Sequence, residues 1–285
     1  MPEPKEFNTT VSPTWCPGCG NFAIWNAVKV ALSELNVSPD NAIFVYGIGC
    51  SGNTSSFINV FGFHGIHGRS LPVATGIKLA NHEAKVVAHA GDGDAYGIGA
   101  CHFIHAMRRN IDITYIVHDN QIYGLTTGQA SPTSLKGFRT KSTPEGVIDM
   151  PLNPIALAID CGATYIARGY SGELKQLTQL IKDAITHKGF SLVDVFQPCV
   201  TFNFLNTYQW FQKKVYKLED ESHNPQDRDA AHRKAMEWGD RIPIGLFYKE
   251  SRLTYEDELP QIKDMPLVRQ SIEDIDISKL MEEYV

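Results

Sequence analysis

The chain has 285 residues, of which 43% are hydrophobic and 20% are charged, and its formal net charge is −6. These values are typical of one large globular domain with an appendage and exclude a disordered or fibrous protein. The acidic balance argues against a general nucleic-acid binder, which would present a basic face. No apolar run reaches the ~18 residues of a membrane span, and residues 1–6 lack the layout of a signal peptide. We therefore expect a cytoplasmic protein.

Helix and strand patterns alternate along the first two thirds of the chain. Apolar residues at helical spacing predict helices at 22–35, 72–79, 98–108, 155–161 and 173–188, the first of them capped by Asn21. Short buried-strand patterns lie at 42–47, 85–90, 113–118, 164–167 and 192–196. Residues 63–69 are too rich in glycine and histidine for a regular element. The alternation predicts an α/β fold, a mostly parallel sheet with helices on both faces.

The alternation ends near Asn206, and residues 213–233 are mostly polar and charged. We therefore divide the chain into a domain at 1–205 and a C-terminal extension at 206–285. Apolar positions scattered among acids at 267–284 suit an amphipathic segment. This segment is expected to pack on the core or on a partner subunit.

Six cysteines in such a chain are more typical of ligands or reduced core residues than of a disulfide framework. Cys16 and Cys19 flank a Pro-Gly turn, which lets two sulfurs converge on one metal centre, although such a pair alone is equally compatible with a redox or structural role. Cys50 and Cys199 follow predicted strands and can join them, because ligand-bearing loops gather at the carboxyl ends of parallel strands. Four thiolates suit either zinc or an iron–sulfur cluster.

The two remaining cysteines lie in predicted helices. Cys101 falls inside one helix and Cys161 ends another. Both are expected to be small core residues.

Residues 91–94 read Gly-Asp-Gly-Asp between a predicted strand and a predicted helix. Backbone N–H groups of such a loop can face a phosphate while Asp92 offers a hard oxygen to Mg²⁺. Taken alone, the loop is better explained as a plain β-turn. The next strand, however, ends close to Asn120 and Ile122, and the side chain of the first and the carbonyl of the second could complete an octahedral site. A thiolate cage beside such a loop predicts a redox enzyme with an organic cofactor.

These motifs resemble the β subunit of the 2-oxoacid:ferredoxin oxidoreductases, of the type that acts on 2-oxoglutarate. The resemblance covers residues 13–210 and rests on segments 15–20, 47–51, 62–69, 91–94, 119–126 and 198–203. It implies a thiamin diphosphate-binding fold in which the domain at 1–205 holds thiamine diphosphate, Mg²⁺ and one 4Fe-4S cluster.

The resemblance also implies roles for individual residues. The implied cluster ligands are Cys16, Cys19, Cys50 and Cys199, and the implied Mg²⁺ ligands are Asp92, Asn120 and the Ile122 carbonyl. The residues implied around the organic cofactor are Ile48, Gly49, Cys50, Ser51, His67, Gly91, Gly93, Asp94, Asn120, Ile122, Gly124, Leu125 and Thr126. The candidate catalytic or substrate-binding residues are His64, His67, Asn53 and Arg69. Satisfying backbone groups is the alternative role for the two histidines, and a surface ion pair is the alternative for Arg69.

The implied reaction is oxidative decarboxylation of a 2-oxoacid with coenzyme A to an acyl-CoA and CO₂, which can also run in reverse to fix CO₂. Electrons would pass through the cluster to ferredoxin. An α subunit would supply the glutamate that faces the aminopyrimidine ring, in a dimer of αβ pairs, with no nucleic acid and no membrane involved. Some relatives have a basic residue shortly after the Cys50 position, where this chain has Gly52-Asn53-Thr54, so the cation for 2-oxoglutarate would come from Arg69 or the partner. Pyruvate or a broad range of 2-oxoacids are the alternative substrates.

Two other functions stay open. The cysteines could hold structural zinc in a non-catalytic subunit. The chain could also belong to a thiamine-dependent decarboxylase or synthase that does no redox chemistry.

Overall fold

The computed structural model describes residues 2–273 and 275–284. Its strands are β1 Ala42–Tyr46, β2 Phe61–His64, β3 Lys85–Gly91, β4 Thr114–Asp119, β5 Tyr165–Tyr170, β6 Ser191–Phe196, β7 Val215–Lys217 and β8 Ile242–Lys249. They form one sheet in the order β2-β1-β3-β4-β6-β5-β8-β7. Only β5 and β8 pair antiparallel among these described strands. The predicted mostly parallel sheet is thus confirmed.

Helices connect the strands and follow them. They are α1 Asn21–Glu34, α2 Ser70–Ala80, α3 Ala100–Arg109, α4 Pro154–Asp160, α5 Leu174–Thr186, α6 Tyr208–Gln212, α7 Arg228–Ala235, α8 Tyr255–Glu258 and α9 Ser278–Glu282. A π-helical turn at Gly93–Ile98 precedes α3. Within the described ranges, none of the helices has both the length and the apolar character of a membrane span.

The helices cover both faces of the central sheet. Successive strand residues point to opposite faces, so neighbouring valines of β3 enter different cores. Val86 packs with apolar residues of α2, α3 and α4, whereas Val87 packs with those of α1 and α5. Burial on both faces explains why these strands read as continuous apolar runs.

Two local predictions fail. Gly20 occupies the cap position of α1, and the helix begins at Asn21, whose side chain caps nothing and instead contacts His118. The predicted cap is wrong because the Asn21 side-chain oxygen contacts the buried His118 ring and not the helix backbone. The irregular segment predicted at 63–69 is also wrong at its start, since Phe63 and His64 end the exposed edge strand β2.

The C-terminal extension contributes β7 and β8 to the sheet, and β8 pairs with β5. Its sequence hides this strand because Pro243 and Gly245 are residues that weaken a strand assignment. The division at residue 205 remains a prediction. The predicted amphipathic segment 267–284 contains α9, and its residue 274 lies outside the described residues.

The strand order creates a crevice at the carboxyl edge of the sheet. Strand β1 lies between β2 and β3, so the chain leaves β1 toward one side and later continues on the other. Loops at such a switch point diverge and leave room for a ligand. The loops that begin at 47, 92, 120 and 197 all start at this edge, because β1, β3, β4 and β6 are mutually parallel.

One buried histidine lies far from this crevice. The Nε2 atom of His187 lies 2.8 Å from the Thr164 hydroxyl, and the residue is 9% exposed. The pKa of His187 is lowered to about 4, mainly by burial. The positive charge of Lys249 contributes to this shift, and Asp112 and Glu250 oppose it. The ring is therefore neutral in the folded chain at neutral pH.

We expect the free energy of unfolding to fall as the pH drops from about 6.5 to about 4, because the unfolded chain binds a proton at His187 in this window and the folded chain does not. His187→Gln should reduce the pH slope by up to about one proton. Urea unfolding at several pH values measures the slope. The matched control is His232→Gln, at a ring with 41% exposure. Equal slopes in the wild-type and His187→Gln chains would contradict the assignment.

Candidate functional site

A cavity of about 290 Å³ lies at the carboxyl edge of the sheet. Its lining residues are Ile48, Gly49, Cys50, Ser51, His67, Gly91, Asp92, Gly93, Asp94, His118, Asn120, Ile122, Tyr123, Gly124, Leu125 and Thr126. We call it the cofactor cavity. Every residue that the sequence analysis assigned around an organic cofactor lies in this lining.

The carboxylate of Asp92 accepts hydrogen bonds from hydroxyl groups on the loop after β4. Its Oδ2 atom accepts hydrogen bonds from the hydroxyls of Ser131 and Thr133, the second at 2.7 Å. Burial raises the pKa of Asp92 to about 6, although these hydroxyls and the Gly93 N–H oppose the shift. A cation in the cavity would compensate the buried negative charge.

The Thr133 hydroxyl is shared between two carboxyl groups. It lies 2.7 Å from Asp92 Oδ2 and 2.9 Å from Asp119 Oδ1. One hydroxyl carries one hydrogen, so the second contact requires a proton on a carboxyl group. Burial raises the pKa of Asp119 well above its ordinary value, and the neighbouring Asp194 and Asp92 raise it further. Asp119 therefore carries this proton and leaves Asp92 free to hold a cation.

Asn120 and Ile122 lie beside Asp92 in the same lining. The Oδ1 atom of Asn120 accepts a hydrogen bond of 3.1 Å from the Ile122 N–H, which folds the loop around the side chain. The amide of Asn120 donates to Gln197 Oε1 at 3.1 Å and is thereby oriented. The three oxygen donors expected around Mg²⁺ are thus brought to one cavity.

Close approach requires glycine at two points of this cavity. A Cβ atom on Gly93 would lie 2.2 Å from the ring of Tyr123, whose hydroxyl donates to the Gly93 carbonyl. A Cβ atom on Gly47 would lie 2.1 Å from Asp94 Oδ2. Asp94 Oδ1 in turn accepts from the N–H groups of Ile48 and Gly68. Asp94 therefore joins the loops after β1 and β2 to the loop after β3.

The four candidate catalytic residues do not gather at one place. Among them, His67 alone lines the cofactor cavity, with Nδ1 2.7 Å from Asp94 Oδ1. His64 Nε2 lies 3.1 Å from the Gly47 carbonyl oxygen, and Asn53 lines a neighbouring cavity. Arg69 is half-buried beside α2, outside both linings. Their catalytic roles stay predictions.

The four predicted ligand cysteines line that neighbouring cavity, which measures about 190 Å³ and which we call the thiol cavity. Cys16 and Cys19 precede α1, Cys50 follows β1, and Cys199 follows β6. The sulfurs of Cys50 and Cys199 both lie within 4 Å of the point where a Cβ atom on Gly124 would sit. Chain segments distant in sequence thus bring the four thiols together.

The thiol cavity is a costly place for negative charge. The pKa of Cys19 is raised to about 12, mainly by burial. The other three thiols contribute to this rise, and a backbone hydrogen bond opposes it. Burial likewise raises the pKa of Cys50 to about 11, with added contributions from Cys199 and Cys16. Raised pKa values of this kind are those of buried thiols, and not those of an activated nucleophile.

Within the described chain, no three or more His, Cys, Asp and Glu side chains form a group arranged for a single metal ion. Cys101 is exposed on α3, so its predicted core position is wrong: the residue lies on the solvent face of the helix. Cys161 is half-buried and packs against the core, as expected.

Several residues of the site escaped the sequence analysis. The clearest is Gln197, whose amide donates to Cys19 Sγ at 3.3 Å while its oxygen accepts from Asn120. Ser131 and Thr133 belong to a run of small polar residues that reads as an ordinary loop. The sequence carries no signal for these contacts, because each joins separate loops.

The two cavities adjoin, and both linings include Cys50, Asn120, Gly124 and Leu125. A family model described as the C-terminal TPP-binding domain of thiamine pyrophosphate enzymes matches residues 47–195. A model described as the C terminus of the pyruvate ferredoxin oxidoreductase beta subunit matches residues 199–264. The fold and the cofactor cavity therefore define a thiamine pyrophosphate-binding domain.

Two relatives are each 47% identical to this chain. They are the beta subunits of 2-oxoacid:ferredoxin oxidoreductase from Saccharolobus solfataricus and of 2-oxoacid:ferredoxin oxidoreductase 1 from Aeropyrum pernix. The alignments cover 91% and 90% of this chain and 90% and 84% of the relatives, respectively. The chain belongs to the β subunits of the 2-oxoacid:ferredoxin oxidoreductases.

A solved structure resembles the whole chain. It is the 2-oxoglutarate:ferredoxin oxidoreductase from Magnetococcus marinus with 2-oxoglutarate, coenzyme A and succinyl-CoA bound. The match has a TM-score of 0.92 and 37% identity and covers 100% of this chain and 96% of the other. The fold predicted from the sequence is thereby confirmed.

We expect Thr133→Val to lower the free energy of unfolding by about 1–3 kcal/mol, because Asp92 and Asp119 lose a buried hydrogen-bond partner at nearly constant volume. Urea unfolding at neutral pH measures the change. The control is Thr178→Val, where the lost hydroxyl bonds only the Leu174 carbonyl within α5. Equal losses in the two variants would show that the shared hydroxyl has no special role.

Proposed function

We propose that this β subunit carries thiamine diphosphate, Mg²⁺ and one 4Fe-4S cluster and acts with an α subunit on 2-oxoglutarate. The products would be succinyl-CoA and CO₂, and the two electrons released would reduce two molecules of a one-electron carrier such as ferredoxin. With strongly reduced ferredoxin the reaction would run in reverse and fix CO₂. The observation that carries this proposal is the common wall of the cofactor and thiol cavities at Cys50.

The cofactor cavity has the donors that Mg²⁺ and a diphosphate require. Asp92, the Asn120 oxygen and the Ile122 carbonyl are hard oxygen ligands for Mg²⁺. Among the described residues, the side chains that bond the buried carboxylate of Asp92 are hydroxyl groups and not cations, and a divalent ion would stabilise its charged form. Gly49 lines the same cavity and leaves space for phosphate oxygens close to the backbone, because a Cβ atom there would have only the Ser51 hydroxyl within 4 Å. When bound, the thiamine ring would supply the electron sink for decarboxylation.

The thiol cavity fits an iron–sulfur cluster better than zinc. Its four cysteines are among the fifteen residues that line a volume of about 190 Å³. Zinc would instead draw four sulfurs to within ~2.3 Å of one point. Binding of the cluster would replace the thiol protons that burial favours at Cys19 and Cys50. The Gln197 amide would then donate to the Cys19 thiolate, and hydrogen bonds to cluster sulfurs tune the reduction potential.

The contacts between the two cavities support electron transfer. Gln197 bonds Asn120 on the cofactor side and Cys19 on the thiol side, so one buried side chain fixes the spacing of the two sites. Cys50 lies in both linings, and the Trp15 indole N–H holds its carbonyl at 2.7 Å. A rigid, short separation is what successive one-electron transfers require.

The partner and the substrate follow from the relatives and from the composition of the cavity. Among the described residues that line the cofactor cavity, the carboxylates are Asp92 and Asp94, with no glutamate. Thiamine enzymes need a glutamate that faces the aminopyrimidine ring of the cofactor. An α subunit is therefore proposed to supply this glutamate, in a dimer of αβ pairs. The Magnetococcus structure holds 2-oxoglutarate and coenzyme A, which favours these substrates over pyruvate. The cation for the distal carboxylate would be Arg69 or a residue of the partner.

The domain at 1–205 is proposed to hold all three cofactors, and the extension at 206–285 to pack on the core and the α subunit. All six cysteines are free thiols. A reducing compartment suits this state, and we propose the cytoplasm.

Anaerobic co-expression with its α subunit tests the function. We expect the complex to reduce methyl viologen only when both 2-oxoglutarate and coenzyme A are present. This chain alone should be inactive, because half of the site is missing. Turnover by the isolated chain would contradict the need for an α subunit. Decarboxylation without viologen reduction would contradict the redox function, and faster turnover of pyruvate would contradict the preferred substrate.

We expect a content of about four iron and four sulfide per chain, and we expect Cys16→Ser, Cys19→Ser and Cys199→Ser each to lose most of both. The matched controls are Cys101→Ser and Cys161→Ser, which lie outside the thiol cavity and should retain the metal. Chemical iron and sulfide analysis and electron paramagnetic resonance after reduction are the measurements. Zinc without sulfide in the wild-type chain would overturn the cluster and the redox function with it.

A further inference from the structure

A third cavity, which we call the arginine cavity, measures about 250 Å³. Its lining residues are Asp119, Gln121, Thr133, Met150, Pro151, Leu152, Asn153, Pro154, Arg168, Met236 and Trp238. Thr133 bonds Asp92 of the cofactor cavity and Asp119 of this one, so a hydrogen-bonded wall separates the two spaces. The function proposed above makes no use of the arginine cavity.

Arg168 of β5 contributes a buried guanidinium with spare donors. The residue is 2% exposed, and its Nε atom lies 3.4 Å from Asp194 Oδ2. The guanidinium carbon lies 4.9 Å from the ring centre of Phe196 and 6.0 Å from that of Trp238. Its Nη1 atom is buried and has no hydrogen-bond partner in the described chain. An unpaired buried donor costs free energy of folding, so a hydrogen-bond acceptor at this atom would be stabilising.

Gln121 contributes the complementary group. The residue is 1% exposed, and its side-chain oxygen is buried without a partner among the described residues. Its backbone has a φ of 59°, a left-handed conformation that is uncommon outside glycine. The backbone is tied down from both sides, because its N–H donates to Asp119 and its carbonyl accepts from Ser134. A strained and anchored backbone thus holds an unsatisfied amide at the cavity.

The walls and the charges restrict what can occupy the cavity. Met150, Leu152, Met236 and Trp238 form apolar walls that suit a flat ring. Asp194 already balances the charge of Arg168, and Asp119 carries a proton, so an added anion would leave an unbalanced negative charge in the buried network. A neutral occupant is therefore favoured over a carboxylate or a phosphate.

We propose that the arginine cavity binds a small neutral aromatic amide. The ring would lie against Trp238, the amide carbonyl would accept from Arg168, and the amide N–H would donate to the Gln121 oxygen. A carboxamide or a lactam edge presents this acceptor and donor side by side, and it satisfies both unpaired groups at once.

Nicotinamide is the probe, and nicotinate and pyridine are its matched analogues. Each is titrated by calorimetry and ligand-observed NMR against the full chain purified with its α subunit. We expect nicotinamide to bind one site per chain, with nicotinate at least about tenfold weaker because Asp194 already balances the charge of Arg168, and pyridine weaker by a similar factor because it lacks the amide. Equal or tighter binding of nicotinate would overturn the proposal, as would no binding of nicotinamide at millimolar concentration.

Met236→Trp tests the location, since Met236 lines the mouth and is 60% exposed, so the substitution should not disturb folding. We expect at least about a tenfold loss of nicotinamide affinity and unchanged viologen reduction with the 2-oxoacid. Met265→Trp is the control, at a 49% exposed methionine outside the lining. Unchanged nicotinamide affinity in Met236→Trp, or a crystal structure with only water in the cavity, would refute the proposed site.

Discussion

Hydrogen bonding between the parallel strands β1, β3, β4 and β6 carries all of the chemistry described above, because it fixes their carboxyl ends at one edge of the sheet. Each strand end then releases a loop into the same crevice. The thiol of Cys50, the carboxylate of Asp92, the amide of Asn120 and the thiol of Cys199 meet there although up to 149 residues separate them in sequence. Two cavities with a common wall are the result of that single pairing pattern.

Buried charge is the second constraint on this protein. Asp92, Asp119 and Asp194 lie within one polar network, and Arg168 is the cation that the described chain supplies to it. Protonation of Asp119 relieves part of the repulsion, and hydroxyl groups on the loop after β4 stabilise Asp92. A divalent cation would complete the balance on the cofactor side. On the other side, Arg168 and Gln121 keep buried groups without a partner among the described residues, which the proposed occupant would satisfy.

Gln197 joins these two aspects of the structure. Its backbone continues from β6, its oxygen orients Asn120, and its amide reaches the sulfur of Cys19. Because this side chain is buried, it has little freedom to relax. One buried amide thus contacts both the proposed metal site and the proposed cluster site.

Local periodicity along the sequence is enough to predict the α/β class and the main strands and helices. Short motifs such as Gly-Asp-Gly after a strand predict the loop residues of the cofactor cavity. The sequence pattern is informative in both cases because the features are local. It missed β8, whose proline and glycine weaken the strand pattern, and misjudged Asn21 and Cys101, whose surroundings come from distant segments. Three contacts are visible only in the folded chain. Thr133 bridges two carboxyl groups, and Gln197 bonds residues of both the cofactor cavity and the thiol cavity. Arg168 and Gln121 both line the arginine cavity. Each of these contacts joins residues on separate loops or strands, and spacing along the chain cannot encode a distance that the folded sheet alone creates.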